Sequence, residues 1–376
     1  MKLIHLSDLH IGKRVNGFSM LEDQAFILDS IISIVSQEAP DAVIIAGDVY
    51  DRAVPTAEAV QTLDGFLYRL SQLSVQVFII SGNHDSAERL SFGSRLMDAS
   101  GIHISPVYSG RAEPVVLHDS YGEVGIYMLP YICPSEVREY YPDECIDSFN
   151  DAVRIAVNGM DVPSDRRNII VAHQFVTGAS QSGSEDISVG GTENVDSSVF
   201  DVFDYTALGH IHSAQNVGGE RVRYCGTPLK YSFSEVRQDK TVTVAELHEK
   251  GRLTVSTIPL IPMRDMREIS GSYAQITARE FYAETETDDY IRVTLTDEEA
   301  IPDAIGKLRA IYPNIMRLDY DNTRTRSGAA ELVGSAEVRS PSELFEELYT
   351  AQNGKEMTEE QRGFLDKMIE KIWGEQ

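Results

Sequence analysis

An α/β fold is predicted by three observations. Short apolar runs alternate with amphipathic stretches, the runs are strand-sized, and polar residue clusters follow them directly. Leu3 to Leu6 forms a first strand, Met20 to Val35 has the spacing of a helix, and Ala42 to Ala46 is a second, buried strand. Ala57 to Leu73 and Glu88 to Ala99 read as helices on either side of the strand Val75 to Ile80. Further strands are expected at Val124 to Leu129, Ile169 to Ala172, Tyr205 to Leu208 and Thr241 to Leu247. Continuous apolar runs of this length suit strands covered on both faces.

The texture changes near Pro259 to Arg267, where Pro259, Pro262 and mixed charge mark a linker. Beyond it, Tyr290 to Leu295 alternates like a half-exposed strand, Pro302 to Ile311 reads as a helix and Ile315 to Tyr320 as another strand, a small α+β unit. Ser340-Pro341-Ser342-Glu343 carries the Ser, the proline and the Glu that open a helix, and Thr358 with Gln361 repeats the pattern. The predicted units are 1–262, 263–335 and 336–376. The final helix presents Phe364, Leu365, Met368, Ile369, Ile372 and Trp373 as one apolar stripe. That stripe either folds back onto its own domain or docks another protein.

With 376 residues, 42% hydrophobic and 24% charged, the composition is that of a globular protein and excludes a fibre, a disordered chain or a disulfide-stapled miniprotein. Lys and Arg number 33 against 59 Asp and Glu, a formal charge of −26, so nucleic-acid binding would need cations, a basic loop or a second subunit. Cys133, Cys145 and Cys225 show no C-x-x-C spacing, which argues against a thiolate zinc site and fits a reducing cytoplasm. The apolar stretch after Lys2 is interrupted by Asp8, too short for a signal peptide, and no run approaches a membrane span.

The chemistry sits in five segments, each after an apolar strand: Ser7-Asp8-Leu9-His10, Gly47-Asp48, Gly82-Asn83-His84-Asp85, Ala172-His173 and Gly209-His210-Ile211-His212. Ligands bind at the carboxyl ends of strands in α/β sheets, because loops leave there with their polar groups free to converge. Asp8 with His10, and His210 with His212, are two apart and project to one side if locally extended. Gly47, Gly82 and Gly209 each precede ligand-type residues, where a missing Cβ lets the chain turn sharply. Five of the nine histidines fall in these segments. Taken singly, an Asp after a strand is a helix cap and a His a packing residue; the five together form a metal-binding pattern. Imidazole, carboxylate and amide donors without thiolate suit manganese, iron or zinc. Asp85 either orients His84 or, the favoured reading, caps a helix starting near Ser86. Asp51 and Arg52 read as turn and supporting groups.

The ordered set D-x-H, G-D, G-N-H-D, H and G-H-x-H resembles the calcineurin-like metallophosphoesterase family over about residues 1 to 250. That resemblance implies a four-layer β-sandwich flanked by helices, with two divalent metals sharing Asp48. One metal would also be held by Asp8, His10 and His212, the other by Asn83, His173 and His210, with His84 a catalytic residue and no ligand. Further stretches resemble the branch of the family whose members are nuclease subunits of an SbcC-type ATPase. They are Gly47-Asp48-Val49-Tyr50-Asp51, Gly82 through Ser91-Phe92, Gly190-Gly191-Thr192-Glu193, Tyr224 through Ser234, Pro259 through Arg264 and Glu343-Leu344-Phe345.

This branch implies a manganese-dependent DNA nuclease, both double-strand exonuclease and single-strand or hairpin endonuclease, serving DNA repair, recombination and replication. It also implies a homodimer within a heterotetramer, formed through helices near residues 57 to 100, an α+β capping domain, and C-terminal helices that bind the ATPase. Other readings are a phosphatase or phosphodiesterase on small substrates, and a non-catalytic scaffold. The Ser/Gly-rich loop from Thr177 to Thr192 either contacts substrate or is a solvated excursion, and Arg324 and Arg326 read as solvated linker charges.

Overall fold

The run AVIIA sends Val43 and Ile45 into one apolar cluster and Ala42, Ile44 and Ala46 into another, because successive side chains of a strand point to opposite faces. Both faces are covered, so the run needs no polar residue. The computed structural model describes residues 1–182, 193–322, 342, 345–346, 348–350 and 356–374.

In chain order come β1 (Lys2–Leu6), the short hairpin β2 (Arg14–Val15) and β3 (Phe18–Ser19), α1 (Leu21–Glu38), β4 (Ala42–Ala46), α2 (Ala57–Gln72) and β5 (Gln76–Ile80). They are followed by α3 (Ala87–Leu90), α4 (Ser94–Asp98), β6 (Ile102–Ile104), β7 (Val115–Asp119), β8 (Gly122–Met128), α5 (Pro134–Tyr140), α6 (Phe149–Asn158) and β9 (Arg167–His173). β10 (Tyr205–Gly209), β11 (Gln215–Asn216), β12 (Val222–Tyr224), β13 (Thr241–Leu247) and β14 (Leu253–Pro259) complete the body. A smaller unit holds β15 (Met266–Gly271), α7 (Tyr273–Ile276), α8 (Arg279–Tyr282), β16 (Tyr290–Leu295), α9 (Ala304–Arg309) and β17 (Ile315–Tyr320), and α10 spans Glu359–Gly374.

Two six-stranded sheets, ordered β14-β13-β1-β4-β5-β6 and β11-β12-β10-β9-β8-β7, make the body. Leu3, Ile44, Phe78 and Ile80 of the first share a core with Ile126, Ile169, Val171 and Tyr205 of the second. Ile31 of α1 and Phe66 of α2 cover the outer face of the first sheet, while Val137 of α5 and Val153 of α6 cover that of the second. The result is the predicted four-layer sandwich: helix, sheet, sheet, helix. In the smaller unit β15, β16 and β17 pair in parallel over a core of Ile276, Ile291, Val293, Leu308 and Ile315. It is tied to the body through buried Asp23 of α1, whose Oδ2 accepts hydrogen bonds from Tyr290 at 2.7 Å and from Arg264 at 2.9 Å.

Three local expectations are corrected. The helix expected over Glu88 to Ala99 is two short pieces, α3 and α4, parted where Gly93 takes a φ of +78°. The expected linker is shorter, because Met266 and Arg267 already belong to β15. Asp85 does not cap α3; Ser86 does, its side chain accepting from the Arg89 N–H at 3.3 Å.

Thr358 and Gln361 do form a reciprocal cap on α10, with the Thr358 N–H donating to Gln361 Oε1 at 3.0 Å and the Gln361 N–H to Thr358 Oγ1 at 3.3 Å. On that helix Leu365 is buried and Phe364 and Met368 are exposed, while the side chains of Ile372 and Trp373 lie outside the described residues. So do Gly190 to Thr192, Arg324, Arg326, Ser340, Pro341, Glu343 and Leu344. No described helix is long and apolar enough to cross a membrane.

Candidate metal centre

Strands β1, β4 and β5 run parallel in one sheet, and β9 and β10 run parallel in the other. Their carboxyl ends deliver the five polar segments to one place. Asp8, His10, Asp48 and Asn83 come from the first sheet, and His173, His210 and His212 from the second, so the cluster straddles the seam between the two.

Convergence is achieved by the backbone, and not by the local extension expected from sequence. Asp8, His10 and Asp48 have φ of 51°, 44° and 48°, and His210 has 100°. Four non-glycine residues in this sparsely populated region mark a strained, over-determined site. The strain is held by inter-loop hydrogen bonds: Asp8 N–H donates to Gly47 O at 3.0 Å, His10 N–H to Asp48 O at 2.9 Å and His210 N–H to Asp8 Oδ1 at 2.9 Å. Of the three glycines, only Gly47 turns with a positive φ, 85°. Gly82 and Gly209 are required by close approach instead: a Cβ would lie 2.1 Å from Asp48 Oδ1 at the former and 1.9 Å from Ala46 O at the latter.

Within the cluster, His10 Nε2 faces His212 Nε2 at 3.2 Å. Asn83 Oδ1 lies 3.0 Å from both His173 Nε2 and His210 Nδ1. Asp48 Oδ2 is central, 3.4 Å from His173 Nε2, 3.6 Å from His10 Nε2 and 3.9 Å from His84 Nε2. Three sets, Asp8 with His10 and His212, His10 with Asp48 and His84, and Asp8 with Asp48 and His173, each place their donor atoms within 4.8 Å of one another. All seven residues expected to hold metal are thus brought together, and His84 stands beside them.

Burial sets the electrostatics. It drives His10 well below its usual range and His210 down to about 3, leaving both imidazoles neutral with lone pairs available. Burial also opposes charge on His173, yet the Asp48 carboxylate raises that imidazole to about 9. His173 and His84 in turn hold Asp48 well below the usual carboxylate range against its own desolvation. Burial raises Asp8.

A metal pair fits these residues. His10 Nε2 and His212 Nε2 converge at 3.2 Å beside the Asp8 and Asp48 carboxylates, His173 Nε2 and His210 Nδ1 converge on Asn83 Oδ1, and mixed nitrogen and oxygen donors without thiolate are what a divalent transition ion takes.

The supporting groups were partly missed in the sequence. Asp85 is a clamp: its carboxylate accepts from the N–H groups of Val49 at 3.0 Å, Tyr50 at 2.9 Å and Gly82 at 3.0 Å, binding the second loop to the third. Gln24 of α1 donates to His10 O at 2.7 Å, and Tyr231 donates to Leu9 O at 2.6 Å while its ring meets that of His10 edge-on. A buried glutamine on the apolar face of α1 was the available signal. Asp51 accepts from Lys13 at 2.8 Å, and Arg52 is exposed.

Two family models match the chain: "Calcineurin-like phosphoesterase" over residues 1–214 and "Type 5 capsule protein repressor C-terminal domain" over residues 262–353. A curated relative from Staphylococcus epidermidis, the SbcD subunit of the nuclease SbcCD, is 34% identical over 322 residues, 85% of each chain. A crystal structure of a dimetal phosphatase from Danio rerio aligns over 69% of this chain and 96% of its own, at 12% identity and a TM-score of 0.42. TT1561 of Thermus thermophilus aligns over 68% and 98%, at 12% identity and a TM-score of 0.37.

Proposed function

From the premise that this chain belongs to the calcineurin-like phosphoesterase family, and within it to the SbcD subunits of SbcCD nucleases, we propose that it is a two-metal DNA nuclease subunit. The observation that carries the reading is the meeting of Asp8, His10, Asp48, Asn83, His173, His210 and His212 at one strand edge. Asp8, His10, Asp48 and His212 would hold one cation, and Asp48, Asn83, His173 and His210 the other. The bound ions, manganese by preference, would supply Lewis acidity and an activated water for attack on a phosphodiester.

The protein's own groups fix the rest. His173 Nδ1 donates to Ala46 O at 2.8 Å, which leaves Nε2 turned toward Asp48 and Asn83. His84 is anchored through its own N–H to Asp48 Oδ1 at 2.9 Å and through Nδ1 to Asp51 O at 3.2 Å. Its partly exposed Nε2 is therefore presented beside the cluster, where it can protonate the leaving oxygen or hold the scissile phosphate.

The chain is organised as a nuclease unit (1–262), a capping unit (263–335) and C-terminal helices (336–376) that dock an SbcC-type ATPase. It works in a reducing cytoplasm as a homodimer within a heterotetramer, both exonuclease on duplex ends and endonuclease on hairpins and single strands. Exposed Tyr68 on α2, Phe92 after α3 and Leu96 on α4 support a protein contact through the 57–100 region, and Phe364 and Met368 support one on α10.

The test is digestion of an end-labelled DNA hairpin with manganese, beside a chromogenic phosphodiester. His84→Gln is expected to bind manganese normally and lose roughly 10²–10⁴-fold in turnover. Cleavage of the small ester alone would replace the nuclease reading with a small-substrate phosphodiesterase, and normal turnover by the variant would remove His84 from the chemistry.

A further inference from the structure

The motif from Tyr224 to Ser234 and the residues after it have no part in the reaction described above, yet they wrap the backbone of His212. Gly226 has φ of 76°, and a Cβ there would lie 2.7 Å from His212 O. Thr227 N–H donates to the same carbonyl at 3.2 Å. Next to it Lys240 Nζ, with three N–H donors, has four oxygens within hydrogen-bond distance: His212 O at 2.9 Å, Thr227 Oγ1 at 2.7 Å, Gln238 Oε1 at 2.9 Å and Glu235 Oε2 at 2.5 Å. Glu235 has no solvent exposure, and its other oxygen, Oε1, stands 3.6 Å from His212 Nδ1. The opposite ring nitrogen of His212, Nε2, faces His10.

A buried ion pair is no stability device in itself, since an apolar pair of similar volume does as well or better. One that spends its second carboxylate oxygen on an imidazole has a different use. Histidines that bind metal commonly give their other N–H to a carboxylate, which fixes tautomer and ring angle and raises the basicity of the ligating nitrogen. The geometry points to Glu235 as a positioning residue for His212, with Lys240 fixing Glu235 in place and bracketing it to the His212 carbonyl. This rests on the two-metal reading. Glu235 Oε1, 3.6 Å from His212 Nδ1, faces that edge of the ring and favours the tautomer with its proton on Nδ1, which leaves Nε2 to present its lone pair to the cation that Asp8 and His10 would also hold.

The experiment is a manganese titration of the full chain by calorimetry, with melting temperatures, for wild type, Glu235→Gln, Lys240→Met and the double variant. Wild type is expected to bind two equivalents. Glu235→Gln is expected to bind one of them about 10–100-fold more weakly, and to raise by the same factor the manganese needed for hairpin cleavage. Lys240→Met strands a buried carboxylate and should melt lower, whereas the double variant, which buries no charge, should regain melting temperature and keep the weakened equivalent. Two full-affinity equivalents in the double variant would overturn the role of Glu235 alone. A wild type that takes up no manganese would overturn the metal reading with it.

Discussion

Gly209 shows how tightly single residues are specified. Its Cα lies so close to Ala46 of the other sheet that an added Cβ would sit 1.9 Å from a backbone oxygen, which cannot rotate away. Gly209→Ala is expected to cost about 1–3 kcal/mol or more and to lower manganese stoichiometry, because His210 and His212 follow directly; thermal melting with a metal titration reads both. Wild-type values in that variant would mean that the two sheets can part locally without harming the site. At this scale the donor types and their order were legible in the sequence. Their conformation was not: nothing in S-D-L-H announces a left-handed φ at both Asp8 and His10, and the glycine positions could be read for turning but not for the clearance Gly82 gives Asp48. The role of Asp85 is hidden in the sequence for a related reason, since its three N–H partners come from loops distant in the chain or bent back upon it.

Strands were legible where both faces are apolar. β1, β4, β5, β9 and β10, the five that carry the site, are of this kind, and their two-sided burial is what makes them predominantly apolar, with His5 in β1 and Thr206 in β10 among the buried polar exceptions. β7 and β14 are edge strands without the two-sided apolar run that marks the central strands, β14 carrying only a short L-T-V-S alternation, and neither is legible as they are. β7 ends at Asp119, which receives Arg167 of β9 through both guanidinium nitrogens, at 3.0 and 2.5 Å, and the Met1 ammonium at 2.5 Å. Arg167 holds this carboxyl well below the usual range, with the ammonium assisting. Because the folded-state value is depressed, the stabilisation is complete above the unfolded value near ~4 and fades as pH falls through the folded one. Asp119→Asn should therefore melt below wild type at pH 7, with the gap narrowing as the pH drops under about 4; a gap of constant size in melts from pH 7 to 2.5 would show that charge is not what Asp119 contributes.

The whole molecule carries a formal charge of −26, yet the structure places two buried carboxylates, Asp8 and Asp48, within one small cluster. The arrangement of sheets could be expected from alternating runs and from the family resemblance, but the way the units lock together could not. Asp23 looks like an ordinary first-turn acid of α1 and is instead the buried junction with Arg264 and Tyr290, over 240 residues away. The position of the cluster across the two sheets has a mechanical corollary. A cation gripped by His212 on one side and Asp8 on the other would rivet the sandwich, so that loading and cohesion would be one equilibrium viewed twice. Chelation should lower the melting temperature and speed amide exchange at the rim ends of β1 and β10 together, by an amount that grows with free manganese as ~RT ln(1 + [Mn]/Kd). Stripped of its ions, the sandwich would keep the apolar core its sheets share and lose only the cross-link at the rim where the two meet.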